Sequence, residues 1–401
     1  MRLYRPFPVE AFRTAIPASV KTIAVLDRTK EPGAQHEPLC EDVMSALFNQ
    51  PQLGAIRVIG GRYGLSSKEF DPSMVKAVFD EMAKDTPKNP FTVGINDDVT
   101  HLSLDVPEKI ETAAAAETYQ TILYGIGNDG TVGGTKQVAN IVGNSPDLYA
   151  QAYFSYSAKK SGGYTISQLR IGRAPVTSAY GISEADYVGC HKTSYVNRFS
   201  MVDKLKDGGI FVLNSPWTAE EMCTRLPLDM RRTIAEKKLK FYSINADSIA
   251  AQCGLGPRIN MPMETVFLYL SNIIPFEQGF EALKEQIRQT YIHEGGDVVE
   301  KNLKAVGMAV DALKEIDYTA VDGWTSTPEK TLQRHPVYPN AALESFIKNI
   351  HIPCTKGEGD LIPVSAIDPA GLMPMGSTAY EHRRIATRVP VWDAAERAKR
   401  G

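Results

Sequence analysis

Cysteine is scarce in this sequence, and the few residues that occur are scattered along the chain. The five cysteines are Cys40, Cys190, Cys223, Cys253 and Cys354. No two of them stand in C-x-x-C spacing, so the sequence indicates neither a disulfide framework nor a zinc or iron–sulfur site, and no metal-binding residue is predicted. This usage favours a reducing intracellular compartment, for which we expect the cytoplasm, with an organelle as the alternative.

Long apolar runs and a strong charge of one sign are lacking as well. No apolar run approaches the roughly 18 residues of a membrane-spanning helix. The opening residues, MRLYRPFPVEAFR, are interrupted by Pro6, Pro8 and Arg13 and do not form the apolar core of a signal peptide. The formal net charge is −3, which argues against a general nucleic-acid binder. We therefore expect neither a membrane nor a nucleic acid among the partners.

The composition and the apolar pattern predict an α/β protein. The chain has 401 residues, 43% hydrophobic and 23% charged, which is enough for two or three domains. Residues 1–108 alternate short apolar runs with helix-like stretches, and the alternation resumes at 119–310 after a connection at 109–118. Residues 320–393 are rich in proline and glycine. The expected fold is two parallel-sheet α/β domains followed by a largely irregular linker segment.

The same pattern places the individual elements. The predicted strands are RLYRPF, KTIAVLD, AIRVIGG and FTVGIND in the first domain, and TILYGIG, YAQAYFSY, YTISQLRIG, ADYVGCH, GIFVLNS and LKFYSINA in the second. The predicted helices lie near 39–49, 73–84, 131–142, 197–206, 218–223 and 263–271, with further helices across 279–316.

A glycine-rich stretch, LYGIGNDGTVGGTK at 123–136, is typical of a phosphate-binding loop. Gly125, Gly127 and Gly130 satisfy G-x-G-x-x-G between a predicted strand and a predicted helix. Glycines let the backbone approach a phosphate, and a helix N-terminus adds N–H groups and a partial positive charge. The P-loop form is excluded because Lys136 follows a threonine rather than a glycine. The alternative is that the glycines only make a tight turn between strand and helix.

Two details argue against NAD as the ligand of this loop. Asp129 lies inside the loop and would repel a pyrophosphate unless it points away to accept other hydrogen bonds, in which case it would cap the helix. The next predicted strand also lacks the acidic residue that binds the ribose of NAD, and it is followed by Lys159 and Lys160. These lysines suit an additional phosphate monoester. NADP and coenzyme A are therefore better candidates than NAD.

Several longer motifs resemble a known enzyme family, over about residues 1–393. LYRPFP, KTIAVLDRTKEPGA, GGRYGLSSKEF and FTVGINDDVT are similar to core domain II of the pyruvate:ferredoxin (flavodoxin) oxidoreductases. LYGIGNDGTVGGTK, KKSGGYTISQLRIG, FVLNSPW and GLGPRINMPM resemble the gamma-type domain III of that family. The stretch GDLIPVSAIDPAGLMPMGSTAYEHRRIATRVPVWD resembles its connecting region, with Glu381-His382-Arg383 where the family usually has Glu-Lys-Arg.

The resemblance implies an activity and a set of cofactors. Enzymes of this family decarboxylate pyruvate on thiamine diphosphate with Mg²⁺, pass electrons through 4Fe–4S clusters to ferredoxin or flavodoxin, and transfer the acetyl group to coenzyme A. The division implied is 1–108 as core domain II, 119–310 as the coenzyme A-binding domain and 320–393 as the connecting region. Thiamine diphosphate, Mg²⁺ and the clusters are expected only on other domains or subunits, and the full enzyme is expected to be a homodimer.

The resemblance also assigns the binding residues, whereas no catalytic residue is assigned. The expected coenzyme A contacts are Gly125, Gly127, Asp129, Gly130 and Thr131 in the loop, Lys159 and Lys160 as phosphate ligands, and Asn260 lining the same cleft. Two alternatives without a role in ligand binding stay open. Lys160 could be a solvated loop charge, and Asn260 could cap the helix beginning near Pro262.

The departures from the family lead to a second hypothesis. Cysteine motifs and thiamine-binding domains are not found in these residues, so the chain is interpreted as a fragment or a split subunit. The alternative to a coenzyme A-binding portion is a non-catalytic scaffold that packs against partner subunits. Neither Cys190 with His191 nor Asp97 with Asp98 is assigned chemistry, because adjacent strand residues point to opposite faces and paired turn carboxylates are usually caps.

Overall fold

The structure is a computed structural model that describes residues 4–48, 55–157, 163–326 and 337–381. The chain forms two compact units. The first unit consists of Met1–Thr118, Val176–Gly181 and Val337–Met375, and the second of Tyr119–Pro175, Ile182–Pro336 and Gly376–Gly401.

Strands and helices alternate through most of the described residues. The strands are β1 (Thr22–Asp27), β2 (Arg57–Arg62), β3 (Phe91–Thr92), β4 (Tyr119–Ile126), β5 (Tyr149–Tyr156), β6 (Tyr164–Gly172), β7 (Ala185–Cys190), β8 (Leu205–Asn214), β9 (Lys240–Ile244) and β10 (Lys314–Glu315). The helices are α1 (Val9–Ala15), α2 (Pro38–Leu47), α3 (Pro72–Met82), α4 (Ala113–Ala116), α5 (Thr131–Gly143), α6 (Ala219–Arg225), α7 (Leu228–Glu236), α8 (Ala246–Gln252), α9 (Asn260–Ser271), α10 (Phe276–Tyr291), α11 (Gly296–Ala309), α12 (Ala341–Phe346) and α13 (Ile352–Lys356).

The first unit is built on a parallel sheet with the strand order β1-β2-β3. Helix α2 begins at Pro38, and the carboxylate of Asp27, at the end of β1, accepts hydrogen bonds from the backbone N–H groups of Leu39 and Cys40. A carboxylate at this position is stabilised by the partial positive charge of the helix N-terminus. The strand end and the helix start are thereby joined at the carboxyl edge of the sheet.

A distant part of the chain is bound to the first unit through a turn after β3. The backbone N–H of Val364 donates to the carbonyl of Asn96, and Asp98 accepts hydrogen bonds from the N–H and the hydroxyl of Ser365. Asp97 accepts from the N–H groups that follow it in the turn. Both carboxylates therefore act as caps, in line with the sequence interpretation that assigned them no chemistry. Lys68 adds an ion pair to Asp360.

The second unit contains a seven-stranded sheet with the order β10-β9-β8-β7-β4-β6-β5. Strands β4, β7, β8 and β9 are parallel, as the sequence predicts. Strands β6, β5 and β10 are antiparallel to their neighbours, so the sheet is mixed rather than wholly parallel. The short connection between β5 and β6 explains the difference, because a parallel crossover needs a dozen or more residues and a hairpin does not.

Helices cover both faces of this sheet and give a three-layer arrangement. One core contains buried residues of α5, α8, α9, α10 and α11, and the other contains those of α6 and α7. Helix α9 is buried on every side from Asn260 to Leu268, which is typical of a helix enclosed in a core.

A buried arginine fixes the chain after β10 to helix α7. The guanidinium of Arg231 is 1% exposed and donates hydrogen bonds to the carbonyls of Gly323, Trp324 and Ser326. In return the indole N–H of Trp324 donates to the carbonyl of Arg231 at 3.0 Å. The planar guanidinium with several fixed donors suits this set of carbonyl acceptors.

Two predicted elements are wrong, and the helical range predicted at 279–316 is too long, because α11 ends at Ala309 and Lys314–Glu315 form β10. Residues 197–206 form no α-helix but contain 3₁₀ turns at Thr193–Asn197 and Val202–Lys204, followed directly by β8. The described part of RLYRPF is not a strand, because two prolines in Tyr4–Pro8 remove ladder donors and α1 begins at Val9. The other predicted strands, from KTIAVLD onward, are confirmed.

Within the described residues, no helix combines the length and the apolar character that crossing a bilayer requires. The five cysteines are free thiols, four of them buried and Cys354 exposed.

Candidate functional site: a cleft beside the glycine-rich loop

The glycine-rich loop lies at the carboxyl end of β4, the parallel strand that borders the antiparallel β6. It passes from Ile126 to Gly130, and α5 begins at Thr131. Gly130 has a φ of 88°, which is a left-handed conformation that favours glycine. A β-carbon at Gly130 would also lie 2.5 Å from Asn260 Oδ1, so the loop and the start of α9 are in close contact.

The Asp129 carboxylate forms hydrogen bonds within the loop. Its Oδ2 accepts a hydrogen bond from the N–H of Ile126 at 2.8 Å, and its Oδ1 accepts from the N–H of Thr131 at 2.9 Å. The residue is 3% exposed, and its carbonyl accepts from the N–H of Ile259. The carboxylate therefore caps the start of α5 and closes the loop, which is the role considered as the alternative to a contact with the ligand.

Gly125 leaves room for the side chains that close the loop. A β-carbon there would overlap the side chain of Thr131 and would lie 3.0 Å from Asp129 Oδ2. Thr131 cannot move away easily, because its hydroxyl is hydrogen-bonded to His191 Nδ1 at 2.7 Å and it is fully enclosed. Gly127 has no such constraint, since the nearest atom to its β-carbon position is 3.5 Å away.

The Gly125→Ala variant is expected to lose about 1–3 kcal/mol of unfolding free energy, because the added methyl group overpacks a rigid site. Gly307→Ala is the matched control, since a β-carbon at Gly307 of α11 has no atom within 4 Å. There the same change should add about 0.5–1 kcal/mol of stability through helix propensity. Urea denaturation of both variants measures the difference, and a shift of the same sign in both would contradict this account of the loop.

A cleft of about 510 Å³ opens beside the loop, within the second unit. Its lining residues are Ile126, Gly127, Asn128, Asp129, Gly130, Thr131, Val132, Gly133, Gln137, Thr165, Arg258, Asn260, Thr290 and Tyr291. This volume is in the range of small-molecule sites. Arg258 contributes a cation, and α5 directs its N-terminus to the same space, so the cleft is electrostatically suited to an anion.

Several polar groups of the cleft wall lack partners in the described part of the chain. The backbone N–H groups of Asn128, Gly130, Val132 and Gly133 have no acceptor there. The side-chain oxygens Gln137 Oε1 and Thr165 Oγ1 are buried and likewise have no partner among the described residues. Buried polar groups are normally hydrogen-bonded, so this wall is arranged to receive a polar ligand or water.

A small hollow of about 10 Å³ lies behind the cleft and has room for about one water molecule. Its polar lining residues include Thr131, His191, Asn260 and Glu264. Thr131 and Asn260 also line the cleft, so these two side chains form the wall between the two cavities.

The two titratable residues of the hollow are both biased towards their neutral forms. Burial lowers the pKa of His191 below its usual value, although the Asp129 carboxylate acts in the opposite direction. Burial raises the pKa of Glu264 to about 8, and the hydrogen bond from Asn260 opposes this rise. At neutral pH the hollow therefore holds a neutral imidazole and a neutral carboxylic acid.

Sequence comparisons connect this unit with a known family. Residues 120–312 match the sequence model described as pyruvate ferredoxin/flavodoxin oxidoreductase, and residues 331–386 match one described as a domain of unknown function. The pyruvate:ferredoxin oxidoreductase of Moorella thermoacetica is 50% identical over 392 residues, or 98% of this chain and 33% of its own length. Residues 120–312 belong to the pyruvate ferredoxin/flavodoxin oxidoreductase family.

Other relatives have similar coverage. The probable pyruvate-flavodoxin oxidoreductase of Escherichia coli is 46% identical over 396 residues, which are 98% of this chain and 33% of that protein. The chain thus spans about a third of the length of these curated relatives. Among solved structures, a pyruvate oxidoreductase subunit from Thermotoga maritima has a TM-score of 0.39 at 19% identity, covering 49% of this chain and 98% of that one.

The structure brings together most of the residues that the family resemblance assigns to the site. Gly127, Asp129, Gly130, Thr131 and Asn260 line the cleft, and Gly125 packs behind Thr131. Asn260 is the first residue of α9 and makes no capping hydrogen bond, so the capping alternative for it is wrong. Its amide instead donates to Glu264 Oε1 at 3.3 Å, because the two residues are one helical turn apart.

Lys159 and Lys160, like His382 and Arg383 of the family-like motif, lie outside the described residues.

The comparison of the loop with a dinucleotide-binding fold is wrong in one respect, because β5 is not the neighbour of β4 in the sheet. The antiparallel β6 lies between them, so the position after β5 is not that of the NAD ribose ligand. The hairpin still reaches the loop, since the carbonyl of Gly163 accepts from the N–H of Gly127 at 3.0 Å.

Arg258 and Glu264 are the site residues that sequence reasoning missed. Glu264 had a usable signal, since an acidic residue in the apolar run of α9 is either paired or functional.

His191 and Cys190 point apart as expected, the imidazole to Thr131 and the thiol into the opposite core, where burial raises the pKa of Cys190 to about 12. This thiol is therefore no nucleophile at neutral pH.

Proposed function

We propose that the cleft beside the glycine-rich loop binds coenzyme A, and that this chain is the coenzyme A-binding part of a pyruvate:ferredoxin or pyruvate:flavodoxin oxidoreductase. The observation that carries the proposal is the row of N–H groups at Asn128, Gly130, Val132 and Gly133, which have no acceptor among the described residues and belong to the lining of a cleft of suitable volume. Such donors suit the phosphate oxygens of the nucleotide end.

Each group of the cleft has a role in this proposal. The N-terminus of α5 and Arg258 would stabilise the negative charge of the pyrophosphate, and Lys159 with Lys160 would contact the 3′-phosphate. Asn260 would donate or accept at the edge of the loop. Asp129 does not contact the ligand but keeps the loop closed, because both of its oxygens are already hydrogen-bonded.

The remaining chemistry is proposed to reside elsewhere in the enzyme. A 4Fe–4S cluster needs about four thiolates, and the described residues contain no group of three or more cysteine, histidine or acidic side chains that could hold a metal. We therefore propose that thiamine diphosphate, Mg²⁺ and the clusters bind to domains or subunits that correspond to the rest of the longer relatives. Those parts would decarboxylate the 2-oxoacid and pass electrons to ferredoxin or flavodoxin.

The proposed enzyme is a cytoplasmic homodimer. In it, residues 1–108 would correspond to core domain II, residues 119–310 to the gamma-type domain and residues 320–393 to the connecting region. The contribution of the present chain is to bind and orient coenzyme A so that its thiol end meets the reacting acyl group on the thiamine-binding domains.

Coenzyme A should bind the isolated chain with an affinity that falls as salt rises, because the contacts are charge-assisted. The double variant Lys159→Glu/Lys160→Glu is expected to bind more than about tenfold more weakly. Dephospho-coenzyme A, which lacks the 3′-phosphate, should bind the unaltered chain more weakly than coenzyme A and lose little further in the double variant. Calorimetric titration of both ligands against both proteins makes this measurement.

The control for charge is Lys238→Glu/Lys240→Glu. Both lysines are exposed at the amino end of β9, at the edge of the sheet opposite to the loop. Their substitution should therefore leave the affinity for coenzyme A unchanged. Equal binding of coenzyme A and dephospho-coenzyme A to the unaltered chain would remove the lysines from the 3′-phosphate site. Absence of coenzyme A binding at any concentration would favour the non-catalytic scaffold.

A further inference from the structure

A buried acid stands directly behind the wall of the proposed cleft. Glu264 is 5% exposed and lies on α9, one turn after Asn260. Its Oε1 accepts the hydrogen bond from the Asn260 amide, and its Oε2 is buried with no partner in the described part of the chain. A buried polar atom without a hydrogen-bond partner lowers the stability of the fold. An unpartnered carboxyl oxygen in this position therefore calls for a functional explanation.

The surroundings of Glu264 are shaped around its side chain. Gly134 of α5 faces the carboxyl group so closely that a β-carbon at Gly134 would overlap it. Besides the polar side chains already named, the hollow is lined by apolar groups such as Leu123, Leu169 and Phe267. The side chain of Glu264 is therefore fixed in position, and the lack of a side chain at Gly134 makes room for its carboxyl group.

Glu264 reaches the cleft through one side chain. Asn260 lines both the cleft and the hollow, and a β-carbon at Gly130 would lie 2.5 Å from its Oδ1. The contact sequence thus runs from the carboxyl of Glu264 to the amide of Asn260 and on to the backbone of the glycine-rich loop.

We propose that Glu264 is a positioning residue that acts through Asn260, and that the cleft binds its polyanionic ligand at full affinity only while the Glu264 carboxyl is neutral. The inference deepens the proposed function and rests on it. An ionised Glu264 would place a poorly solvated negative charge behind the wall that faces the phosphates, and in this enclosed setting the repulsion is weakly screened.

The other charged groups near this acid do not replace its effect. His191, from the end of β7, is neutral because burial lowers its pKa. Asp129, in the loop, has both oxygens hydrogen-bonded to backbone N–H groups. Arg258 lines the cleft and is the cation on the ligand side of the wall. Since burial raises the pKa of Glu264 to about 8, the coupling falls in a range that is easily measured.

The test is the affinity of a coenzyme A thioether, which lacks a titrating thiol, for the full chain between pH 7 and pH 9. The unaltered chain should bind it about threefold or more weakly at pH 9 than at pH 7, because like charges repel in the enclosed site. Glu264→Gln, which cannot ionise, should bind with nearly the same affinity at both values. Glu281→Gln, an exposed residue of α10 paired with Lys284, is the control and should behave as the unaltered chain.

A second measurement needs no variant. Titration at pH 8 in buffers of different ionisation enthalpy should show uptake of up to about half a proton per ligand, since an acid with a pKa of about 8 is half ionised there. Binding with no proton uptake, or the same pH dependence in Glu264→Gln, overturns the role of Glu264 and leaves the proposed function intact. Absence of binding to every protein at pH 7 overturns the proposed function and the coupling together.

Discussion

Replacing Arg231 with methionine is expected to lower the free energy of unfolding by on the order of 3 kcal/mol. Methionine fills much of the volume but donates no hydrogen bond. The carbonyl of Trp324 would then lose its donor in a buried setting, which costs about 1–3 kcal/mol, and the part-buried bonds to the carbonyls of Gly323 and Ser326 would be lost as well. The expected sum is at the low end because the cost of burying the guanidinium charge is removed at the same time.

The neighbouring arginine provides the control for this change. Arg232 is exposed and, within the described residues, donates one long hydrogen bond, of 3.3 Å, to the carbonyl of Thr325. Arg232→Met removes the same charge from the same helix and should change stability by less than about 0.5 kcal/mol. Urea denaturation of both variants tests the account, and a small effect of Arg231→Met would show that the Gly323–Ser326 carbonyls find other donors.

The second large effect concerns pH. The pKa of Glu264 is about 8 in the fold against 4.5 in the unfolded chain, so between these values the unfolded state binds fewer protons and stability falls as pH rises. The slope approaches 1.4 kcal/mol per pH unit, which gives up to about 4 kcal/mol between pH 5 and pH 8. The stability contributed by the neutral acid is complete below pH 4.5 and lost above pH 8.

Glu264→Gln should remove this dependence. The free energy of unfolding of Glu264→Gln minus that of the unaltered chain is expected to rise steadily from pH 5 to pH 8, because only the unaltered chain loses this share of its stability. Urea denaturation of both proteins measures the difference. The difference between the two proteins cancels the share of His191, whose lowered pKa acts with the opposite sign near pH 6. A constant difference across this range would mean that Glu264 is ionised in the fold.

Local patterns sufficed for most elements of the second unit. The β-branched and aromatic runs predict β4 to β9, and the G-x-G-x-x-G spacing predicts the turn from β4 into α5. The antiparallel direction of β5 and β6 is the exception, although the sequence contains a signal for it. Only the residues between Tyr156 and Tyr164 connect the two strands, and so short a connection permits a hairpin and no parallel crossover.

The cleft itself was only partly accessible to sequence reasoning. Its loop side is contiguous in the sequence and therefore visible as a motif. Arg258, Thr290 and Tyr291 reach the same space from other parts of the chain, and their position depends on how α9 and α10 pack on α5. The role of Asp129 as a cap rather than a ligand depends on hydrogen bonds to Ile126 and Thr131 that only the folded structure specifies.

The attachment of residues 360–365 to the turn after β3 bears on the order in which a ribosome can complete the first unit. Lys68, Asn96 and Asp98 are synthesised long before Asp360, Val364 and Ser365, their partners in the fold. At about 5–20 residues per second, the delay amounts to some tens of seconds. Throughout that interval the second unit is synthesised while the first still lacks its final contacts, so the first unit can be completed only after most of the second has left the ribosome.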